Sequence, residues 1–171
     1  MSDLLRRAGF GANPDELDSY LEQGYEATVE QLFKSEDSPS LDGQDLIRRY
    51  HIDQNSLMLI ESSQAYWLYR MINTKRPLEE KIALFWHGHF ATNEDKVRDY
   101  RKMLQQLQLF QAEGLGNFRT LMVGVARDPA MLTFLDAGVN VKGSPNENFA
   151  REIMELFTMG VGHYTETDIR E

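Results

Sequence analysis

No cysteine occurs among the 171 residues. That excludes a disulfide framework, thiolate catalysis and any zinc site built on cysteine. It does not fix a compartment, because a chain of this size can bury a sufficient core without disulfides. Net positive charge is lacking too: 18 Lys and Arg stand against 27 Asp and Glu, for a net charge of −9. A phosphate backbone is held by clustered cations, so no nucleic-acid partner is expected. Arg6-Arg7 and Arg48-Arg49 are too short to reverse the global sign. No apolar run approaches the roughly 20 residues of a membrane span. The opening segment Met1–Arg7 has no apolar stretch after its charges, so no signal peptide is read there. Alternating apolar and polar residues are missing over any useful length, which argues against a sheet. There is no internal repeat, no Walker or Rossmann glycine pattern, and no G-x-S-x-G elbow around Ser62, Ser63 or Ser144.

What is present is helix punctuation. Asn13-Pro14-Asp15-Glu16 reads as an N-cap, a proline at the first helical position and acids at the positive end of the dipole. Leu17 and Leu21 supply an i, i+4 apolar pair, and Gly24 a stop. A second helix is expected from Ala27 to Lys34 with Val29, Leu32 and Phe33 inward. Ser35–Gly43 reads as a flexible polar loop. A weak helix is expected over Gln44–Tyr50 and a longer one over Ser56–Asn73. Arg76-Pro77 opens another, with Leu78, Ile82, Phe85 and Trp86 as its apolar stripe. Further helices are expected at Asp95–Ala112, Asn117–Arg127, Pro129–Leu135 and Asn146–Met159, with a glycine- and proline-containing loop over Asp136–Pro145. Thr165–Asp168 resembles a capping box with Asp in place of Glu or Gln, so a last helix begins there. The fold class is therefore all-α: a single irregular domain over residues 1–171, with about seven to nine helices and no significant sheet.

Two places attract a chemical reading. On a wheel of about 100° per residue, Phe149, Ala150, Ile153, Met154, Leu156 and Phe157 share one half of the Asn146–Met159 helix. Glu147, Arg151, Glu152 and Glu155 lie on the other. The i, i+4 pairs Glu147–Arg151 and Arg151–Glu155 suit a solvated face. Glu152 sits at the edge of that arc, where partial burial makes a carboxylate useful for proton transfer or metal binding. Glu152, with Arg151 beside it, is the catalytic candidate. The second place is Phe85–Phe90, whose His87 and His89 are the metal-ligand candidates, for a divalent ion. If the helix runs on through Gly88, the two rings lie about 200° apart and cannot grip one ion. The stripe from Leu78 would then place a hydrogen-bonded His89 on the apolar face and His87 opposite. His51 and His163 carry no motif. The two glycines and two cations of Arg6–Gly11 suit either an anion nest or a plain turn before Asn13.

Four blocks carry a resemblance: Leu4–Gly11 (LLRRAGFG), Phe85–Thr92 (FWHGHFAT), Gly116–Met131 (GNFRTLMVGVARDPAM) and Lys142–Tyr164 (KGSPNENFAREIMELFTMGVGHY). In this order they resemble the N-terminal part of the bacterial family catalogued as domain of unknown function 1800. The resemblance implies a helical protein, often exported, whose chain normally continues past Thr165 into a larger C-terminal region. It carries no assigned catalytic residues. On this reading Glu171 truncates the last helix, and a frayed end and uncovered apolar surface around Phe157 and Tyr164 are expected. The missing C-terminal region is then the implied partner, and an exported or periplasmic location is implied although no leader is read. The function this favours is an interaction or scaffold part of a larger exported protein. A hydrolase-like enzyme using His87 or His89 with Glu152 is the first alternative. A helical ligand-binding module built on Tyr66, Trp67 and Trp86 is the second.

Overall fold

The computed structural model describes residues 1–34, 37–41, 60–143 and 146–170. The expected helix at Gln44–Tyr50, the first residues of the helix expected from Ser56, both ends of the Ser35–Gly43 loop, Arg48-Arg49, His51 and Ser144 lie outside the described residues. Among those described, the chain is all-α, with 11 α-helices and no strand. Two compact units divide it, Met1–Phe85 and Trp86–Glu171.

The first unit contains α1 (Ser2–Arg7), α2 (Pro14–Gln23), α3 (Tyr25–Phe33), α4 (Glu61–Asn73) and the start of α5 (Pro77–Phe90). The N-terminus of α2 is as its sequence dictates. Asn13 accepts from the Glu16 amide and Glu16 accepts from the Asn13 amide, closing a capping box around Pro14. Its apolar pair is not buried, however, and Leu21 is exposed. In α3 the inward residues are Thr28 and Leu32, while Phe33 is exposed. Thr28 is tolerated inside because its hydroxyl donates to the Gly24 carbonyl at 2.7 Å. Gly24 itself has φ +88, the conformation that lets α2 turn directly into α3. Gly9 answers a different need: a Cβ there would meet the Pro77 Cβ at 2.9 Å.

The inward face of α5 differs from the expected stripe. Glu80, Ala83 and Phe90 are fully buried and His87 is half-buried, whereas Phe85 is exposed. Those positions follow i, i+3, i+7, i+10, a helical face that hydrophobicity alone misses because a carboxylate stands on it. Glu80 is accommodated by Arg70, buried on α4, through an Nε–Oε1 contact of 2.6 Å.

The second unit continues with α6 (Glu94–Val97), α7 (Tyr100–Glu113), α8 (Phe118–Arg127), α9 (Pro129–Phe134), a 3-10 turn over Ala137–Val139, α10 (Glu147–Glu152), a π-helical segment Ile153–Thr158, and α11 (Glu166–Arg170). The single helix expected over Asp95–Ala112 is broken. Arg98 adopts a left-handed conformation with φ 51, and Asp99 caps α7 by accepting from the Arg101 amide. Val97 and Tyr100, on either side of the break, are both buried. Phe90, Phe110, Leu121, Val125 and Met131 form the fully buried centre. A Cβ at Gly124 would meet Leu109 Cδ1 at 2.7 Å, so α8 packs on the Leu109 side chain of α7 with no room for a side chain here.

Candidate functional site

The C-terminal part of the second unit holds the Glu152 and Arg151 candidates. Asn146 caps α10 by accepting from the Asn148 amide. After Glu152 the backbone widens: Met159 donates to the Met154 carbonyl five residues back at 2.7 Å, and the Thr158 hydroxyl donates to the Ile153 carbonyl at 2.8 Å. An extended π stretch is uncommon, and such widened turns occur often at functional sites. Each widened turn takes up an extra residue, so side chains beyond it rotate away from their α-helical positions. Leu156, placed on the apolar half by the wheel, is 60 % exposed, while Phe157 is buried. The uncovered apolar surface expected at Phe157 therefore lies instead at Leu156, Met159 and Val161.

The polar side of this segment is a ladder to α11. Arg151 forks onto Glu166 with Nη1–Oε1 and Nη2–Oε2 distances of 2.9 and 3.0 Å, and also reaches Glu147 at 3.6 Å. Arg170 Nε donates to Glu147 at 3.1 Å, and the Tyr164 hydroxyl donates to Glu155. The expected Arg151–Glu155 pair is replaced by these longer-range partners. Hydrogen bonding to Arg151 holds the Glu166 carboxyl below its ordinary value, and hydrogen bonding to Glu155 pushes the Tyr164 phenol up. Thr165 and Asp168 close the capping box, with the Thr165 amide to Asp168 at 2.7 Å and the Asp168 amide to Thr165 at 3.4 Å. Ile169 is buried. A cap, ion pairs and one apolar anchor thus meet in α11. Glu152 stands apart from the ladder, half-buried at the junction of α10 and the π segment, with no hydrogen bond or ion pair to any described residue.

The two histidines lie on one uninterrupted helix, since α5 runs through Gly88 to Phe90. They therefore diverge around its axis. His87 is the more buried, and burial lowers its pKa. His89, expected on the apolar face, is exposed, yet its Nε2 lies 3.3 Å from the Phe157 carbonyl and its ring packs on Trp86, Phe90 and Phe157. Donation from Nε2 satisfies a carbonyl near the end of the π segment, which fixes a structural use for this ring. Among the described residues no three His, Asp or Glu side chains are placed to hold one metal ion.

Two buried polar centres that sequence reasoning missed are structural in form. Glu80 accepts from Arg70 and from Trp67 Nε1 at 3.1 Å, and Arg70 also donates to Tyr66 at 3.1 Å and to the Leu41 carbonyl at 3.0 Å. Thr92 donates to Gln106, whose Nε2 donates to Asp128 Oδ2 at 2.8 Å; the same oxygen caps α9 by accepting from the Met131 amide at 2.8 Å. Burial pushes the Asp128 carboxyl up against the pull of those hydrogen bonds. Trp67 and Tyr66 are committed to the first centre. Trp86 donates to the Gly114 carbonyl and stacks with Phe90 and Phe118.

A family model described as "Protein of unknown function (DUF1800)" matches residues 3–171. No curated protein and no solved structure matches the chain. Among the described residues no helix is long and apolar enough to cross a membrane. The match runs through the glycine turn after α1, the α5 histidines, α8–α9 and the π segment alike, and the chain belongs to the DUF1800 family.

Proposed function

We propose that this chain is the interaction part of a larger exported bacterial protein, and that the π segment and the loop after it bind the C-terminal region which the family resemblance implies. The observation that carries this reading is apolar exposure within six residues of chain: Leu156 at 60 %, Met159 at 45 % and Val161 at 76 %. Single exposed apolar residues need no explanation, but a run of them on one short segment marks a surface that another polypeptide covers. Gly160 and Gly162, at φ +82 and +84, shape the loop that presents Val161. The polar ladder fixes the other side of the same segment and so keeps the apolar side in place.

The test is reconstitution from two polypeptides, this chain and the region that follows it in the longer gene product. Co-elution on size exclusion is expected, and Leu156→Glu with Val161→Glu should abolish it while leaving the helical circular dichroism unchanged. Separate elution of the wild-type pieces sinks the reading.

A second reading, a hydrolase-like enzyme, has one observation in its favour: the half-buried Glu152 carboxylate at the α-to-π junction is uncommitted among the described residues. Glu152→Gln in the full-length protein, assayed on a panel of ester, phosphoester and glycoside substrates, decides it. Turnover unchanged by the substitution removes Glu152 from the site, and absent turnover by both forms removes the enzyme reading.

A further inference from the structure

The segment after Glu152 carries two sets of partners that one register cannot satisfy together. An α-helical wheel puts Leu156 and Phe157 on the same apolar half, about 100° apart. Only Phe157 is buried, packed on Phe90 at 5.4 Å and on His89 at 6.0 Å between ring centroids. Leu156, one residue before it, is 60 % exposed. A π turn closes its bond five residues back rather than four and so holds one residue more than an α turn. Winding the turn after Glu152 as α-helix moves every later residue on by one place, and Leu156 then arrives where Phe157 now lies. The polar side has the same duality. In an α-helix Glu155 stands one turn beyond Arg151, as an i, i+4 pair. In the structure the Tyr164 hydroxyl comes between them, accepting from Arg151 and donating to Glu155. The Thr158 hydroxyl reaches the carbonyls of both registers, Ile153 five residues back at 2.8 Å and Met154 four back at 3.4 Å. Gly160 and Gly162 follow at once, at φ +82 and +84, and glycine backbone takes up a slip of one residue at little cost.

We propose that the helix running from Glu147 to Thr158 is a two-register switch, with Phe157 against Phe90 and His89 in the π register and Leu156 in that place in the α register. Tyr164 is the latch of the π register, because its hydroxyl keeps Arg151 and Glu155 apart. His89 assists it from α5, with Nε2 3.3 Å from the Phe157 carbonyl. Each register buries one of two neighbouring apolar side chains and gives Glu155 one of two partners, so the arrangements are alternatives and not a continuum. Only the π register turns Leu156 outward. The docking surface proposed above therefore exists in that register alone; this coupling rests on the docking reading, whereas the exchange of Leu156 and Phe157 does not.

The test is fluorine NMR of the whole chain with 4-fluorophenylalanine in place of Phe157. The signal should show relaxation dispersion on the microsecond-to-millisecond scale of helix register shifts. Tyr164→Phe opens the latch and should raise the α-register population about threefold, the shift that one lost hydrogen bond produces. Leu156→Ser leaves no apolar side chain to take the place of Phe157 and should lower that population about tenfold. Both variants should keep the helical circular dichroism. A signal free of dispersion in the wild type and in Tyr164→Phe overturns the proposal. Dispersion that Leu156→Ser leaves unchanged also overturns it, since the ring then moves without trading places with Leu156. Adding an excess of the C-terminal region should quench the dispersion by selecting the π register. Dispersion that persists there, with both variants behaving as stated, overturns the docking reading and leaves the register switch standing.

Discussion

The Arg70–Glu80 centre gives the sharpest test of how the first unit is held together. The Arg70 side chain is 8 % exposed and that of Glu80 is 0 % exposed. Desolvation opposes the charge on Arg70, but Glu80 and Tyr66 outweigh it and leave the pKa of Arg70 raised. Glu80→Gln keeps the shape and still offers an acceptor to Trp67, but removes the counter-charge. Glu79, 3.7 Å from Arg70, is a poor substitute, because its own carboxyl is pushed up by burial. Removing one partner of a buried pair costs about 3–5 kcal/mol. Glu80→Gln should fall near the lower end because of Glu79, and Arg70→Met should cost at least as much because it strands Glu80. The double variant Arg70→Met/Glu80→Met should cost clearly less than the sum, since neither charge is then left buried alone. Equilibrium urea unfolding followed by tryptophan fluorescence reads all three, with Trp67 as a reporter at the pair itself. Single variants costing under about 1 kcal/mol, or an additive double variant, would refute the assignment of this pair as a coupled buried unit.

Asp128→Ala should cost about 1–2 kcal/mol through the lost α9 cap, and Asp128→Asn under about 1 kcal/mol because an amide oxygen still accepts from Met131 and Gln106. Burial raises the folded pKa of Asp128 above its ordinary 3.8, so its native form holds the proton more tightly than the unfolded form. Its contribution to stability therefore falls as pH rises from 3.8 through the folded value, and a comparison of wild type and Asp128→Asn across that window isolates it. Ala91 is exposed with φ 40 after α5; Ala91→Gly should stabilise by about 0.5–1 kcal/mol in thermal unfolding, since only glycine adopts that backbone without penalty. Glu166 shows the opposite proton linkage. Its pKa is depressed below 4.5 by Arg151, so what it adds is complete above 4.5 and lost as pH falls through the depressed value. Hydrogen exchange at Ile169 should accelerate over that range, and Arg151→Met should produce the same acceleration at neutral pH.

Local chemistry determined much of this fold from the sequence alone. The Asn13–Glu16 box, the Asn117 and Asp128 caps and the Thr165–Asp168 pair all sit where the residues dictate. A cap is a contact over two or three residues and needs no knowledge of the rest of the chain. Helix faces were legible only where burial follows hydrophobicity. Glu80 and Arg70 are among the most buried groups of the first unit while Ile72 and Phe33 are exposed, because a charge is buried when a distant partner meets it, and no periodicity encodes that partner. The same limit governs the sites. The geometry that separates His87 from His89 follows from an unbroken α5, which local sequence left open at Gly88. The widening after Glu152 and the exchange of Glu155 for Glu166 as the partner of Arg151 belong to the tertiary structure. They depend on which elements lie side by side, and packing over the whole unit decides that.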